Sequence, residues 1–217
     1  MTEEVKPRRR YVSHRRREQA EQTRRDIITA AGRLFRERGY AVAMPEIAAE
    51  AGVVVETVYR TFGSKPRLFR AVVEALLAGG VTRATVDVRE RPAIKAIIDE
   101  PDPRRKVERY AATQPGIHRR AGPLLRALRD AKAADPELGR LWDELEQWRL
   151  DGQGQFVAHL AETGALRPDR SLEAATDLVW SLCSLAMHDL LVLDRGWTAE
   201  RYQAWLAEML RRELVET

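Results

Sequence analysis

The sequence predicts an all-α fold in two parts. Three observations carry this. Apolar residues recur at helical spacing along most of the chain, Pro, Ser, Thr or Asp opens the successive runs while Gly closes them, and no strand pair stands out. A chain of 217 residues with a 44% apolar share can bury a real core, in one or two small domains. Its charged share of 32% lies above the usual ~25%. Together these exclude a disordered chain, a collagen-like chain and a disulfide-rich secreted scaffold. The single cysteine, Cys183, has no internal partner, which fits a reducing compartment. The longest run free of Asp, Glu, Lys and Arg is Leu178–His188, short of the ~18 apolar residues of a membrane span. No apolar stretch succeeds the first residues, so no secretory signal is read. The expectation is a soluble, cytoplasmic protein without a membrane partner.

Residues 1–18 are polar, basic and aperiodic, and are read as a disordered arm. From Thr23, residues Ile27, Ala31, Leu34 and Phe35 share one helix face, and Gly39 stops that helix. Pro45 suits the first turn of a second, short helix with Ile47, Ala48 and Ala51 inward and Gly52 at its end. Val55–Phe62 is a third, with Val58 and Phe62 inward. Ser64 caps a fourth, which carries Leu68, Val72, Ala75 and Leu76 on one face and closes at Gly79-Gly80. Val81–Arg91 has β-branched residues but no neighbour to pair with, and is read as a loop or linker. Asp102-Pro103 begins the next helix, bent or broken at Pro115-Gly116. Asp135-Pro136 begins another, with Leu138, Leu141, Trp142, Leu145, Trp148, Phe156 and Leu160 on one side and Gly164 at its end. Ser171 caps a helix that carries Val179, Leu182, Ala186, Leu190 and Leu193 to Gly196. Thr198 caps the last, with Tyr202, Trp205, Leu206, Met209 and Leu210 in register.

Charge divides the chain. Residues 1–80 hold 16 Lys and Arg against 10 Asp and Glu, a balance of +6, whereas residues 81–217 hold 21 against 23, a balance of −2. Positive charge concentrates in Lys6, Arg8, Arg9, Arg10, Arg15, Arg16, Arg17, Arg24 and Arg25. Such a run is either a solvated tail or the footprint of a polyanion partner. The helices immediately after the run favour the second. Two short helices around a Gly turn make a helix-turn-helix arrangement. Ala48 is small where the helices cross, Gly52 serves the turn, and Val53 and Val58 pin the second helix, leaving its outer residues free for a major groove. The bland alternative is a three-helix packing unit without a ligand.

The stretch Ile27-Ile28-Thr29-Ala30-Ala31-Gly32-Arg33-Leu34-Phe35 is succeeded by Arg38-Gly39-Tyr40, Glu46-Ile47-Ala48, Ala51-Gly52-Val53, Thr57-Val58-Tyr59, Phe62-Gly63-Ser64-Lys65 and Leu68-Phe69. This string resembles the N-terminal domain of the TetR family of transcriptional regulators, over about Thr23–Val73. Gly196-Trp197, Tyr202 and Trp205-Leu206 look like the end of family members with two long terminal helices. The resemblance implies a homodimeric, repressor-type DNA binder whose C-terminal domain senses a small molecule. Two departures stand out. Ala43-Met44 replaces the usual Thr or Ser before the second helix, in a loop that looks one residue short, and Val54 replaces Ser or Thr after Gly-Val. Each removes an N-cap, at a cost of about 0.5–2 kcal/mol.

The likeness and side-chain chemistry together assign roles. The DNA-binding set is Arg24, Arg25, Val54, Val55, Glu56, Thr57, Tyr59, Arg60 and Lys65. The resemblance makes Thr57, Tyr59 and Lys65 phosphate contacts, with packing under the fourth helix as the alternative for Tyr59. Arg60 suits guanine, Glu56 a cytosine amine and Val55 a thymine methyl; the alternative is solvated surface. The basic arm can track a minor groove. Val179, Leu182, Ala186 and Leu190, with Tyr202, Trp205 and Met209, present wide apolar faces that must be buried. By family likeness they form a four-helix bundle across a dimer axis, or else they face their own core.

The effector pocket is expected among Tyr110, His118, Trp148, Gly152, Phe156, His159, Trp180, Cys183, Met187 and His188, or these are plain core. The residue types favour an apolar or aromatic effector. Gly152 and Gly154 interrupt a good helix, which suggests close packing, a kink or room for a ligand. No catalytic, metal or cofactor motif is present: there is no His-Glu-x-x-His, no paired Cys, no phosphate loop and no Gly-x-Ser-x-Gly, and the four His are scattered. The expectation is therefore not an enzyme. It is a homodimeric repressor on a palindromic operator in double-stranded DNA, with a basic arm at 1–18, a helix-turn-helix DNA-binding domain at 19–66, a connecting fourth helix at 65–80 and an effector-binding and dimerisation bundle at 81–217. A nonspecific architectural DNA binder, and a helical enzyme or ligand carrier that retains the DNA-binding unit, stay open.

Overall fold

A computed structural model describes residues 9–215. Among these residues there are helices and turns and no strand. The chain divides into two compact units, Met1–Val72 and Val73–Thr217, and the boundary falls inside one helix.

The first unit opens with α1, Arg9–Arg38, thirty residues long. The disordered arm expected over 1–18 is therefore helical from Arg9 onward; residues 1–8 lie outside the described residues. Aperiodicity misleads here because residues 14–22 are all exposed and so need no apolar face. Arg, Glu, Gln and Ala are strong helix formers, and side-chain pairs four residues apart, His14 with Glu18 and Glu21 with Arg25, support them. A short 3-10 turn at Gly39–Ala41 leads to α2, Met44–Glu50, and α3, Val55–Phe62. Next comes α4, Lys65–Ala78. Ile27, Ala31, Phe35, Val42, Ile47, Ala48, Val58, Phe62, Leu68, Phe69 and Val72 form the apolar interior. Gly32 is buried where α1 meets α4, and a Cβ there would lie 3.3 Å from Val72 Cγ1. At the turn between α2 and α3, Gly52 has φ +67°, the left-handed region, and the Val53 N–H donates to the Ala48 carbonyl at 3.0 Å.

The lost cap before α2 is partly offset. Ala43 has no side-chain acceptor, but Glu46 reaches back to accept the Ala43 N–H at 2.9 Å, half of a capping box. Arg38 holds the same carboxylate at 2.7 Å. These two contacts hold the Glu46 carboxyl below the usual range, the backbone N–H contributing most.

In the second unit the expected linker contains a one-turn helix, α5, Val81–Ala84, and a 3-10 turn at Val88–Glu90. A helix not foreseen, α6, covers Pro92–Ile98; Pro92 at its start and the apolar Ile94, Ile97 and Ile98 are its signal in the sequence. Then come α7, Pro103–Ala131, and α8, Pro136–Glu162, capped by Asp102 and Asp135. Pro115-Gly116 does not break the helix: α7 runs on through Pro115 and Pro123. A proline inside a helix costs ~3 kcal/mol. Here the burial of Val107, Ala111, Ala121, Leu124 and Leu128, each at most 1% exposed, outweighs it.

The long helix expected from Ser171 to Gly196 is three segments: α9, Leu172–Leu182; α10, Leu185–His188; and a π-helical turn, Asp189–Asp194. Ser184 causes the break. Its backbone is extended, and its side-chain oxygen accepts the Met187 N–H at 3.1 Å, restarting the helix at a 42° bend. The last helix, α11, Ala199–Leu214, is capped by Thr198. The core joins Val107 and Ala111 of α7, Phe156, Val157 and Leu160 of α8, Val179 of α9 and Tyr202, Leu206, Leu210 and Leu214 of α11. Among the described residues no single helix is long and apolar enough to cross a membrane; the bent run of α9 with residues 185–194 passes on composition only as a pair.

Candidate functional site

The first unit presents α3 as an exposed rod. Val58 is fully buried and Phe62 nearly so, locking one side into the interior. Glu56, Tyr59 and Arg60 are exposed on the other, while Val55 and Thr57 are half-buried. Tyr59 is 49% exposed, so its phenol is not packed under α4. Val54 is 65% exposed and makes no side-chain cap. No side chain caps the first N–H groups of α3; that of Thr57 donates to the Val54 carbonyl at 2.9 Å, and those of Val55 and Glu56 face the end of the helix where an anion is favoured. Arg60 donates to the Thr57 hydroxyl at 3.2 Å, so the two polar tips already sit together.

Two of the predicted basic residues stand differently from each other. The Arg24 guanidinium lies over the Phe62 ring, 4.5 Å from its centroid, which holds it beside α3. Arg25 is turned along its own helix, donating to Gln22 at 2.8 Å and 3.9 Å from Glu21. Lys65 opens α4 with its ammonium 4.3 Å from the centre of the Tyr40 ring. Burial lowers its pKa, and Glu46 opposes that shift. Tyr40 in turn packs on Phe69 at 5.3 Å, so the interior fixes where Lys65 stands.

Sequence reasoning missed a cleft between α1 and α3. It is about 660 Å³ in volume and is lined by Arg16, Gln19, Ala20, Glu21, Thr23 and Arg24 from α1 and by Val53, Val54, Thr57, Arg60 and Thr61. The spacing of Arg16, Ala20, Thr23 and Arg24 on one helix face is the available signal, and the lack of an apolar stripe around it hides the helix.

Residues 27–72 match the family described as "Bacterial regulatory proteins, tetR family". The chain carries a TetR-family N-terminal domain. A curated relative, the HTH-type transcriptional activator FasR of Mycolicibacterium smegmatis, is 38% identical over 88 residues; the match covers 36% of this chain and 40% of that protein. The chain thus spans well under two thirds of that relative's length. Among solved structures, a Mesorhizobium loti protein assigned to TetR-family transcriptional regulators has a TM-score of 0.65 at 20% identity, over 90% of this chain and 98% of that one. The fatty acid degradation regulator FadR of Bacillus halodurans has a TM-score of 0.62 at 16% identity, over 85% and 92%. A Saccharomonospora viridis protein solved with choline has 0.63 at 20%, over 90% and 99%. These likenesses share the all-helical fold of this chain.

In the second unit, some of the predicted pocket residues meet and others do not. Tyr110 stacks on Phe156 with ring centres 4.0 Å apart. Burial raises the Tyr110 phenol well above its ordinary value, with Cys183 adding to the shift, and Gln153 at its side opposes it. Burial also pushes the Cys183 thiol up to about 12, so it is an inert core thiol at neutral pH. His118 stacks on His188 at 4.3 Å, and Tyr202 meets the His188 ring edge-on at 5.2 Å. Burial brings His118 down to about 3, with His188 the next cause, and burial lowers His188 as well. Asp189 comes next, at the start of the π-helical turn, and is held by Arg126 at 2.9 Å and Arg129 at 3.3 Å.

The other predicted pocket residues stand elsewhere. Trp148 and Gly152 are on the exposed side of α8. Trp180 is 36% exposed, with the Arg149 guanidinium 4.6 Å from its ring. His159 sits apart, 2.8 Å from the buried Lys106 ammonium, which also donates to the Ile98 carbonyl at 3.1 Å. Met187 is half-buried. The close packing offered for Gly152 and Gly154 is not found: a Cβ at Gly152 meets nothing within 4 Å, and one at Gly154 meets Thr176 at an ordinary 3.8 Å.

The expected dimer faces also divide. Val179 and Tyr202 are fully buried in their own core, where they pack with Val107, Phe156, Val157 and Leu206. Leu182, Trp205 and Met209 are half-buried, and Ala186 and Leu190 are exposed.

Proposed function

We propose that the chain is a sequence-specific DNA-binding transcriptional regulator in the cytoplasm, acting as a homodimer on a palindromic operator. It is a repressor, released by a small apolar or aromatic effector. The observation that carries this reading is α3. One side of the helix is fixed in the interior while Glu56, Tyr59 and Arg60 stand in solvent beside N–H groups with no side-chain cap. That is the geometry of a recognition helix that enters a major groove by its N-terminal end.

One such helix reads few base pairs, so a two-fold pair is needed for a useful site. Exposed Leu172, Trp180, Leu190 and Leu193, with half-buried Trp205 and Met209, supply apolar area for a second copy. The stacked Tyr110 and Phe156, with buried Gln153 beside the phenol, support an apolar or aromatic effector held by few polar groups. The fatty acid regulator and the choline complex among the structural relatives support small-molecule sensing on this fold.

Selection of bound duplexes from a random pool tests the reading. The expected result is a palindromic consensus with half-sites about one helical turn, or a multiple of it, apart. Equal retention of all duplexes would replace the regulator with an architectural protein, and sedimentation as a monomer at micromolar concentration would remove the dimer. A reporter behind the consensus is expected to be silenced by the protein and restored by a member of a fatty acid, choline and aromatic-acid panel.

A further inference from the structure

We infer that the N-terminal extension of α1 is a second DNA-contacting element, a rigid helical rail that grips the phosphate backbone flanking the bases read by α3. This rests on the functional reading above and extends it to residues outside the matched domain.

The domain match begins at residue 27, whereas α1 begins at Arg9. Eighteen residues of the same helix therefore precede the matched segment, about 27 Å at 1.5 Å per residue. Within this extension Arg16, Ala20 and Arg24 recur every four residues and line the cleft against α3, where Arg60 and Thr57 form the opposite wall. Three guanidiniums thus surround a groove whose acidic lining residue is Glu21, and Glu21 is drawn toward Arg25, at 3.9 Å. The groove is open, basic and continuous with the outer face of α3, which suits a sugar–phosphate strand.

Arg16 and Arg24 are eight residues, or about 12 Å, apart along the helix axis. Phosphates of one strand advance ~3.4 Å each along the duplex. The two side chains therefore address different phosphates. Arg24 is already positioned by the Phe62 ring, and Arg16 lies two turns further out, exposed. A disordered arm would lose chain entropy when it binds, while a preformed helix has lost it on folding. The rail contacts backbone and not base edges, so it adds affinity equally to every sequence.

The test uses the full chain, the selected consensus duplex and a random duplex of equal length, with wild type, Arg16→Ala and Arg16→Lys. Arg16→Ala is expected to weaken both duplexes by the same factor and to reduce the slope of log affinity against log salt by about 0.9. Arg16→Lys is expected to keep the slope. Arg16 is exposed, so the melting temperature should not move, and a variant that melts normally reports on contact alone. Unchanged affinity and slope in Arg16→Ala would overturn the rail, as would a loss confined to the consensus duplex, which would mark base readout. If wild type itself bound neither duplex, the regulator reading would fail instead.

Discussion

The two units keep their polar chemistry in opposite places. In the first, the buried side chains among the described residues are apolar, and Glu56, Thr57, Tyr59 and Arg60 are exposed or line a cleft. In the second, Glu100, Lys106, Gln114, His118, Gln153 and His188 are all buried. Burying a polar group costs free energy unless it is partnered, so such groups persist inside where specificity is required of them. A partner as large as a duplex must be met on a surface; a small molecule can be enclosed. The contrast supports the proposal that one unit reads DNA and the other senses a small ligand.

That contrast can be broken most severely in the first interior. Phe69 is 1% exposed and packs between Phe35, at 5.1 Å, and Tyr40, at 5.3 Å. Phe69→Ala is expected to cost about 3–5 kcal/mol in denaturant unfolding and to abolish DNA binding, because α3 loses its support. A loss below about 1 kcal/mol would mean this interior is not what holds the rod.

The second unit's interior should show itself through acid. His118 titrates near pH 3 in the fold but near 6.5 when unfolded, so the folded form excludes a proton that the unfolded chain accepts. Its share of stability is complete above pH 6.5 and is lost as pH falls toward 3, at about 1.4 kcal/mol per pH unit within that window. His188 acts in the same direction, while Asp189 favours the charged ring and Arg126 opposes it. Denaturant melts from pH 7 to pH 4.5 should show this slope in wild type and a shallower one in His118→Phe. Equal slopes in both proteins would place the acid sensitivity elsewhere.

On the surface proposed to face DNA, Arg60→Ala should cost about 1–3 kcal/mol on the consensus and relax preference at one base position. Lys65→Ala should weaken all sequences alike and reduce the salt slope by about 1. Competition assays with singly substituted duplexes separate the two effects, and identical base profiles for both variants would dissolve the distinction between base reader and phosphate anchor. The smallest expected effect is a gain. A Cβ at Gly152 meets nothing, so Gly152→Ala should stabilise α8 by roughly 1 kcal/mol in a thermal melt. If sedimentation showed that the same substitution weakened self-association, that exposed strip would be in use.

Much of the first unit is legible in the sequence because its elements are short and punctuated. Pro45, Gly52, Gly63 and Ser64 mark boundaries within a few residues of the apolar positions they frame, and the family string runs through them. The start of α1 is not legible in the same way, since an exposed helix held by propensity and spaced ion pairs leaves no apolar stripe. In the second unit Asp102, Asp135, Ser171 and Thr198 cap helices where side-chain type alone places the caps. The pocket is less legible: Trp148 and Trp180 look like core by type, yet both are substantially exposed.

By itself, the order of residues determined the all-α class, the helix-turn-helix with its outward residues, and most of the cap positions. These depend on interactions a few residues long, which spacing and side-chain type report directly. Only the tertiary structure decided that α7 continues through Pro115, that the helix from Ser171 breaks at Ser184, and that His118 meets His188 and Tyr202. Each of those outcomes balances a local preference against packing with segments dozens of residues away, and that sum is formed only once the helices are together.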